Sequence, residues 1–173
     1  MLQTAWVGGG GRLDLADLAR KILSSREREA QLQNLTVRAA LRPAPTAGSP
    51  DLAERLAANL IDNALRYNLP DGHVEVTTEI SDSRAVLTVI NTGPAVPAAA
   101  LNRLFQPFQR LTTDRTGRCD GLGLGLSIVQ AIAGAHHATI TTCPQPRGGL
   151  LIAVAFPATA AVGMLPPGGW TSS

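Results

Sequence analysis

The sequence predicts one mixed domain of the α+β class, and three observations carry that prediction. The chain has 173 residues, 45% of them hydrophobic, with a formal net charge of +2, which suits a single unit able to bury a core. A helix-start signal, Ser49-Pro50-Asp51, precedes a long amphipathic stretch: serine caps, proline suits the first helical position, and an acid complements the dipole. Two β-rich runs, residues 74–80 and 85–90, flank Ser81-Asp82-Ser83-Arg84 in the manner of a hairpin. The charge balance gives no reason to expect a nucleic-acid partner. Prolines 157, 166 and 167 break the longest apolar stretch, so no membrane segment of its own is expected. Met1 is not followed by a charged and then apolar leader, and Cys119 and Cys143 suit neither a disulfide framework nor a zinc site. A cytoplasmic protein with reduced thiols is the expectation.

Taken in order, residues 1–12, with glycines at 8–11, read as a flexible lead-in, and Asp14 caps a helix running to about Leu23. Residues 32–41 have a β-branched centre and end before Pro43 and Pro45, which reads as a strand. The helix from Pro50 reaches about Asn68 and stops at Pro70-Asp71-Gly72. After the hairpin, residues 97–105 read as a short helix, 106–120 as a polar loop and 128–135 as a helix. Strands at 139–143 and 150–156 close the domain around a Pro/Gly turn. The predicted domain is therefore 13–157, with a disordered tail over 158–173.

Four pieces of this chain carry chemistry. Gly121-Leu122-Gly123-Leu124-Gly125-Leu126-Ser127 runs into a helix; alternate glycines permit close backbone approach, and the helix start offers unpaired N–H groups to an anion. It is neither a P-loop, lacking the Lys-Ser/Thr pair, nor the dinucleotide fingerprint, whose third glycine falls one residue later. On the helix from Pro50, Asn59 and Asn63 lie only about 40° apart in bearing, with Arg66 close by. Two asparagines beside a core are costly, roughly 0.7 kcal/mol each relative to alanine, so that edge either hydrogen-bonds to neighbouring backbone or has something to bind. An amide oxygen suits magnesium whose charge is met by nucleotide phosphates, and Arg66 and Tyr67 lie within reach of the same phosphates. Asn91-Thr-Gly-Pro-Ala-Val-Pro97 fixes a polar side chain at a strand end, where the exocyclic amine of a planar base can be read. Leu104-Phe105-Gln-Pro-Phe108-Gln-Arg110 gathers two of the three phenylalanines as a hook ahead of the polar loop.

In this order the pieces resemble the catalytic and ATP-binding domain of sensor histidine kinases, within the wider GHKL superfamily that includes type II topoisomerases and heat-shock chaperones. Residues 59–67 resemble the N box, 91–97 the first glycine box, 104–110 the F box and 121–129 the second glycine box. Leu13-Asp-Leu-Ala-Asp-Leu18 resembles the usual opening of the domain, and Gly148-Gly149 before a strand ending at Pro157 resembles its close. The resemblance implies the Bergerat ATP-binding fold: a two-layer α/β sandwich, its sheet mixed but mostly antiparallel, with helices on one face and ATP between the N-box helix and a lid. It implies Asn63 as the Mg2+ ligand with Asn59 beside it, and Arg66 and Tyr67 as phosphate and lid contacts. Asn91 faces the adenine amine, Gly93 and Ala95 shape the base pocket, and Gly121, Leu122, Gly123, Leu124, Gly125 and Leu126 hold the phosphates. Arg115 and Arg118 fall in the lid, and Phe105 and Phe108 on the surface that docks a partner.

Two departures qualify the resemblance. The family usually has Asp at the position of Asn91 and Gly at that of Ala95. An amide accepts the adenine proton without charge assistance, so ATP should bind about 1 kcal/mol more weakly. None of His73, His136 and His137 has the helical context of a phosphoacceptor. The expectation is therefore a kinase component acting on a histidine of a partner protein or a missing dimerisation domain, with a response regulator downstream. The alternatives are an anti-sigma-factor-type serine/threonine kinase and a non-catalytic nucleotide-binding scaffold.

Overall fold

A computed structural model describes residues 10–106 and 125–159. Strand β1 (Gly11–Asp14) leads into helix α1 (Leu15–Leu32), capped by Asp14, whose Oδ1 accepts the Ala16 N–H at 2.8 Å and the Ala44 N–H at 2.9 Å. The remaining elements are β2 (Thr36–Leu41), β3 (Pro45–Gly48), α2 (Pro50–Arg66), β4 (His73–Ser81), β5 (Arg84–Asn91), a short 3-10 helix (Ala98–Arg103), α3 (Gly125–Ala135), β6 (Thr139–Pro144) and β7 (Leu150–Pro157). The five-stranded sheet has the order β2-β4-β5-β7-β6; β2 runs parallel to β4 and every other pair is antiparallel. β1 and β3 form a separate antiparallel pair.

Period-two patterning decides which face of the sheet is covered. Val74, Val76 and Thr78 of β4, Ala85, Leu87 and Val89 of β5, and Ile152, Val154 and Phe156 of β7 are buried, while their alternating neighbours are more accessible. Register stacks Val76, Val89 and Ile152 in one row and Thr78, Leu87 and Val154 in the next. The helices cover this face, with α2 packed between α1 and α3. The result is the expected α+β sandwich.

Hairpin, α2 start and closing strands follow the sequence reading. Ser49 caps α2 by accepting the Leu52 N–H at 3.4 Å, and Pro50 holds the first turn. Asp82 and Ser83 join β4 to β5 with φ of 49° and 60°, the left-handed pair of a tight two-residue turn. Four readings need correction. Helix α1 continues nine residues past Leu23, to Leu32, through Ser24-Ser25-Arg-Glu-Arg-Glu, a stretch with good helix formers but no apolar stripe. That leaves β2 to begin at Thr36, after Asn34 reverses the chain at φ 52°. Gly11 and Arg12 are strand rather than lead-in, paired with Gly48 and Ala47 of the unforeseen β3. At the other end Ala158 bridges to Thr46, and Thr159 N–H donates to the Pro45 carbonyl at 3.3 Å.

Candidate nucleotide site

Helix α2 separates its two flanks by chemistry. Its apolar arc, Ala53, Leu56, Ala57, Leu60, Ile61, Ala64 and Leu65, is buried. On one side acids meet the cations of α1: Glu54 takes Lys21 at 2.8 Å, and Asp62 takes Arg26 in a fork, Nε at 2.6 Å and Nη2 at 3.1 Å. The hydrogen bonds that Arg26 donates to Asp62 raise the Arg26 pKa above its ordinary value, against the opposing effect of burial. The other flank carries Asn59, Asn63 and Arg66. Asn59 and Asn63 are half-buried, and Asn59 Nδ2 is buried without any hydrogen-bond partner. A buried unpaired amide costs about 1–3 kcal/mol unless another group completes it. Arg66 and Tyr67 are exposed at the helix end, where the Tyr67 N–H still caps onto the Asn63 carbonyl at 3.1 Å.

The turn after β5 meets that helix end directly. Asn91 sits in the middle of the sheet's edge, opposite Val74 on one side and Leu150 on the other. Its Nδ2 donates to the Thr92 carbonyl at 2.8 Å, which directs the amide oxygen away from the turn. A Cβ on Gly93 would lie 2.8 Å from the Tyr67 carbonyl, so only glycine lets the base turn approach the N-box helix this closely. Ala95 is exposed at the rim.

Several contributors were not foreseen. Gly148 and Gly149, at φ 93° and 96°, press against the underside of the base turn: added Cβ atoms would fall 2.3 Å from the Gly93 oxygen and 1.9 Å from the Asn91 oxygen. Gly149 N–H also donates to the Pro94 carbonyl at 3.0 Å. Asn68 and Thr92 form a knot behind the turn. Thr92 Oγ1 donates to Asn68 Oδ1 at 2.5 Å and accepts the His73 N–H at 2.8 Å; Asn68 Nδ2 donates to the Ala64 and His73 carbonyls at 3.2 and 3.0 Å. The sequence signal was slight: an amide two residues past the last helical residue, Arg66.

On the third side α3 starts at Gly125, where an added Cβ would meet no atom within 4 Å. The Leu126 side chain is buried in the core, so what it offers a ligand is its backbone N–H. Gly121, Leu122, Gly123, Leu124, Phe108, Arg115 and Arg118 lie outside the described residues. Phe105 packs against the core and, with Leu101, Gln130 and Ile140, lines a groove of about 380 Å³ between the 3-10 helix, α3 and β6. Among the described residues no cluster of three or more His, Cys, Asp or Glu is present, so a cation on the α2 flank would be held by amide oxygens and by oxygens of its own ligand.

The sequence profile of the histidine kinase-, DNA gyrase B- and HSP90-like ATPases matches residues 48–160. The chain belongs to that ATPase family. Sensor protein CutS of Streptomyces coelicolor is 44% identical over 146 residues, covering 84% of this chain and 35% of CutS. Sensor histidine kinase TmoS of Ectopseudomonas mendocina is 33% identical over 154 residues, 88% of this chain and 16% of TmoS. The chain thus spans about a third or less of the length of these sensor kinases. The ATPase fold agrees with solved structures: the catalytic domain of histidine kinase ThkA (TM-score 0.76, 22% identity, 88% of this chain and 99% of that one) and the mycobacterial sensor histidine kinase MprB (0.75, 22%, 87% and 98%). No described helix of this family member is long and apolar enough to cross a membrane.

Proposed function

We propose that this ATPase-family domain binds Mg-ATP and passes the γ-phosphoryl group to a histidine of a separate chain or domain, within a cytoplasmic two-component system. The observation that carries the reading is the buried, partnerless Asn59 Nδ2 on the flank of α2 that faces away from α1. A phosphate oxygen would satisfy that donor, and the neighbouring Asn63 amide oxygen would hold a magnesium ion. Bound there, magnesium would supply neutralisation of the charge on the β- and γ-phosphates.

The chain's own residues bind and orient. Asn91 Oδ1, which accepts no hydrogen bond among the described residues, accepts one from the adenine amine. Gly93 admits the base, and Ala95 borders it. Backbone N–H groups of residues 121–126 receive the phosphates at the head of α3, with Arg66, Tyr67, Arg115 and Arg118 as further contacts. Phosphoryl transfer then needs an imidazole nitrogen in line with the γ-phosphorus, ADP leaving on the opposite side. His136 does not offer one: its Nδ1 faces the Ile132 carbonyl at 2.9 Å and its Nε2 accepts the Ser49 N–H at 3.2 Å. The acceptor comes from a partner, docked at Phe105, Phe108 and the groove beside α3, and a response regulator takes the phosphoryl group onward.

The test mixes this protein, magnesium and γ-labelled ATP with a chain supplying an acceptor-histidine helix. An acid-labile, alkali-stable phosphoprotein is expected. An acid-stable product would make it a serine/threonine kinase of the anti-sigma type. ATP binding without transfer would make it a scaffold, the reading that the amide at Asn91 and the methyl at Ala95 favour.

A further inference from the structure

We propose that Asn68 is a positioning residue for base recognition: through Thr92 it fixes the turn that aims the Asn91 amide oxygen at an exocyclic amine. This rests on the nucleotide reading above and adds the residue that sets its base preference. Asn68 uses its whole hydrogen-bonding capacity. Both Nδ2 protons go to carbonyls, those of Ala64 in α2 and His73 at the head of β4, while Oδ1 accepts from the Leu69 N–H at 2.9 Å and the Thr92 hydroxyl at 2.5 Å. Its side chain ties the end of α2, the start of β4 and the turn after β5.

His73 N–H donates to Thr92 Oγ1, and the Thr92 hydroxyl donates to Asn68 Oδ1 at 2.5 Å, its nearer acceptor, with the His73 carbonyl at 3.3 Å. Thr92 is further held by its own N–H on the His73 carbonyl at 3.1 Å. A Thr92 fixed at N–H and hydroxyl presents its carbonyl in one place, and that carbonyl binds Asn91 Nδ2 at 2.8 Å. A carboxamide, unlike a carboxylate, has a donor end and an acceptor end. One of the two Nδ2 protons is held by the Thr92 carbonyl, which fixes the amide plane and leaves Oδ1 as its unpaired acceptor end, so a base bearing an amine is favoured over one bearing a carbonyl at that position. Without the knot, Asn91 can rotate and the preference disappears. The space beside Asn68 supports a fixed role: a Cβ on Gly72 would fall 2.1 Å from Asn68 Oδ1 and 2.3 Å from Thr92 Oγ1.

The test measures Kd for ATP and for inosine triphosphate, which carries oxygen in place of the amine, in magnesium buffer on the full chain. The parent should favour ATP by about tenfold, the worth of one made and one refused hydrogen bond. Asn68→Ala and Thr92→Val should lose most of that ratio through weaker ATP binding, leaving the inosine nucleotide within about twofold of the parent. Thr92→Ser, which restores the hydroxyl, should recover the preference. Thr92→Val keeps the side-chain shape, so it carries the test should Asn68→Ala fold poorly. A folded variant that keeps the ratio, or one that weakens both nucleotides equally, overturns the role of Asn68. A parent that binds both nucleotides alike overturns base reading by Asn91 and this role with it; a parent that binds neither overturns the nucleotide site itself.

Discussion

Replacing Gly149 by alanine and Gly134 by alanine is the same chemical change with opposite expected signs. At Gly149 the new methyl would sit 1.9 Å from the Asn91 oxygen, 2.9 Å from the Asn91 carbonyl carbon and 3.0 Å from the Gly93 nitrogen, at φ +96°. All three are main-chain atoms of the base turn and cannot rotate aside. Positive φ costs a residue with a Cβ about 1–2 kcal/mol, and forcing packed backbone apart costs about 1–3 kcal/mol more. A loss of about 2–5 kcal/mol is a large part of the 5–15 kcal/mol that holds a domain folded. At Gly134, inside α3, no atom of the described residues outside the adjoining helix backbone lies within 4 Å of the added methyl, and alanine in a helix gains about 0.5–1 kcal/mol over glycine. Equilibrium unfolding in urea, with m unchanged, reads both. Gly149→Ala should in addition lose nucleotide affinity at temperatures where it is still folded. Should it unfold within about 0.5 kcal/mol of the parent, the range of neutral surface changes, the brace beneath the base turn is not as described.

Four more outcomes follow from the same geometry. Asn59→Ala removes a buried orphan and a weak helix former, so the ligand-free protein should gain about 0.5–1 kcal/mol while losing the rise in Tm on adding MgADP; a parent-like ligand shift refutes the assignment. Asn91→Asp sets a carboxylate against the Thr92 carbonyl, which should cost about 1 kcal/mol without ligand, yet calorimetry should show ATP bound as tightly or several-fold more so by charge assistance. Asn91→Ala should abolish binding. Ser83→Gly relieves a left-handed turn residue and should raise the denaturation midpoint by about 0.5–1 kcal/mol equivalent.

What could be read from the sequence was whatever local chemistry decides. Ser49-Pro50-Asp51 started α2 where its own side chains dictate, and alternation in β4 and β5 fixed which face is buried. The amide flank of α2 was legible because helical periodicity puts Asn59, Asn63 and Arg66 together whatever surrounds them. Tertiary support was not legible. Residues 24–32 of α1 carry no apolar stripe, and β3 exists only because β1 pairs with it across α1 and β2. Asn68 takes its meaning from carbonyls of α2 and β4, and Gly148-Gly149 was visible as a punctuation mark but not as a floor. Residues 107–124, which hold the glycine ladder and the lid arginines, are outside the described structure.

The floor at Gly148-Gly149 has a consequence for the order in which the protein matures. Asn59, Asn63, Asn91 and the glycine ladder all precede the residues that brace Asn91, and Leu150 pairs beside Asn91 only when the last strand enters the sheet. Such distant pairing is slow to form and late in synthesis, so on the proposed reading nucleotide binding would report a finished sheet rather than the presence of its motifs. A ribosome-bound chain stopped at residue 147 would then display every motif of the proposed ATP site and hold no ATP.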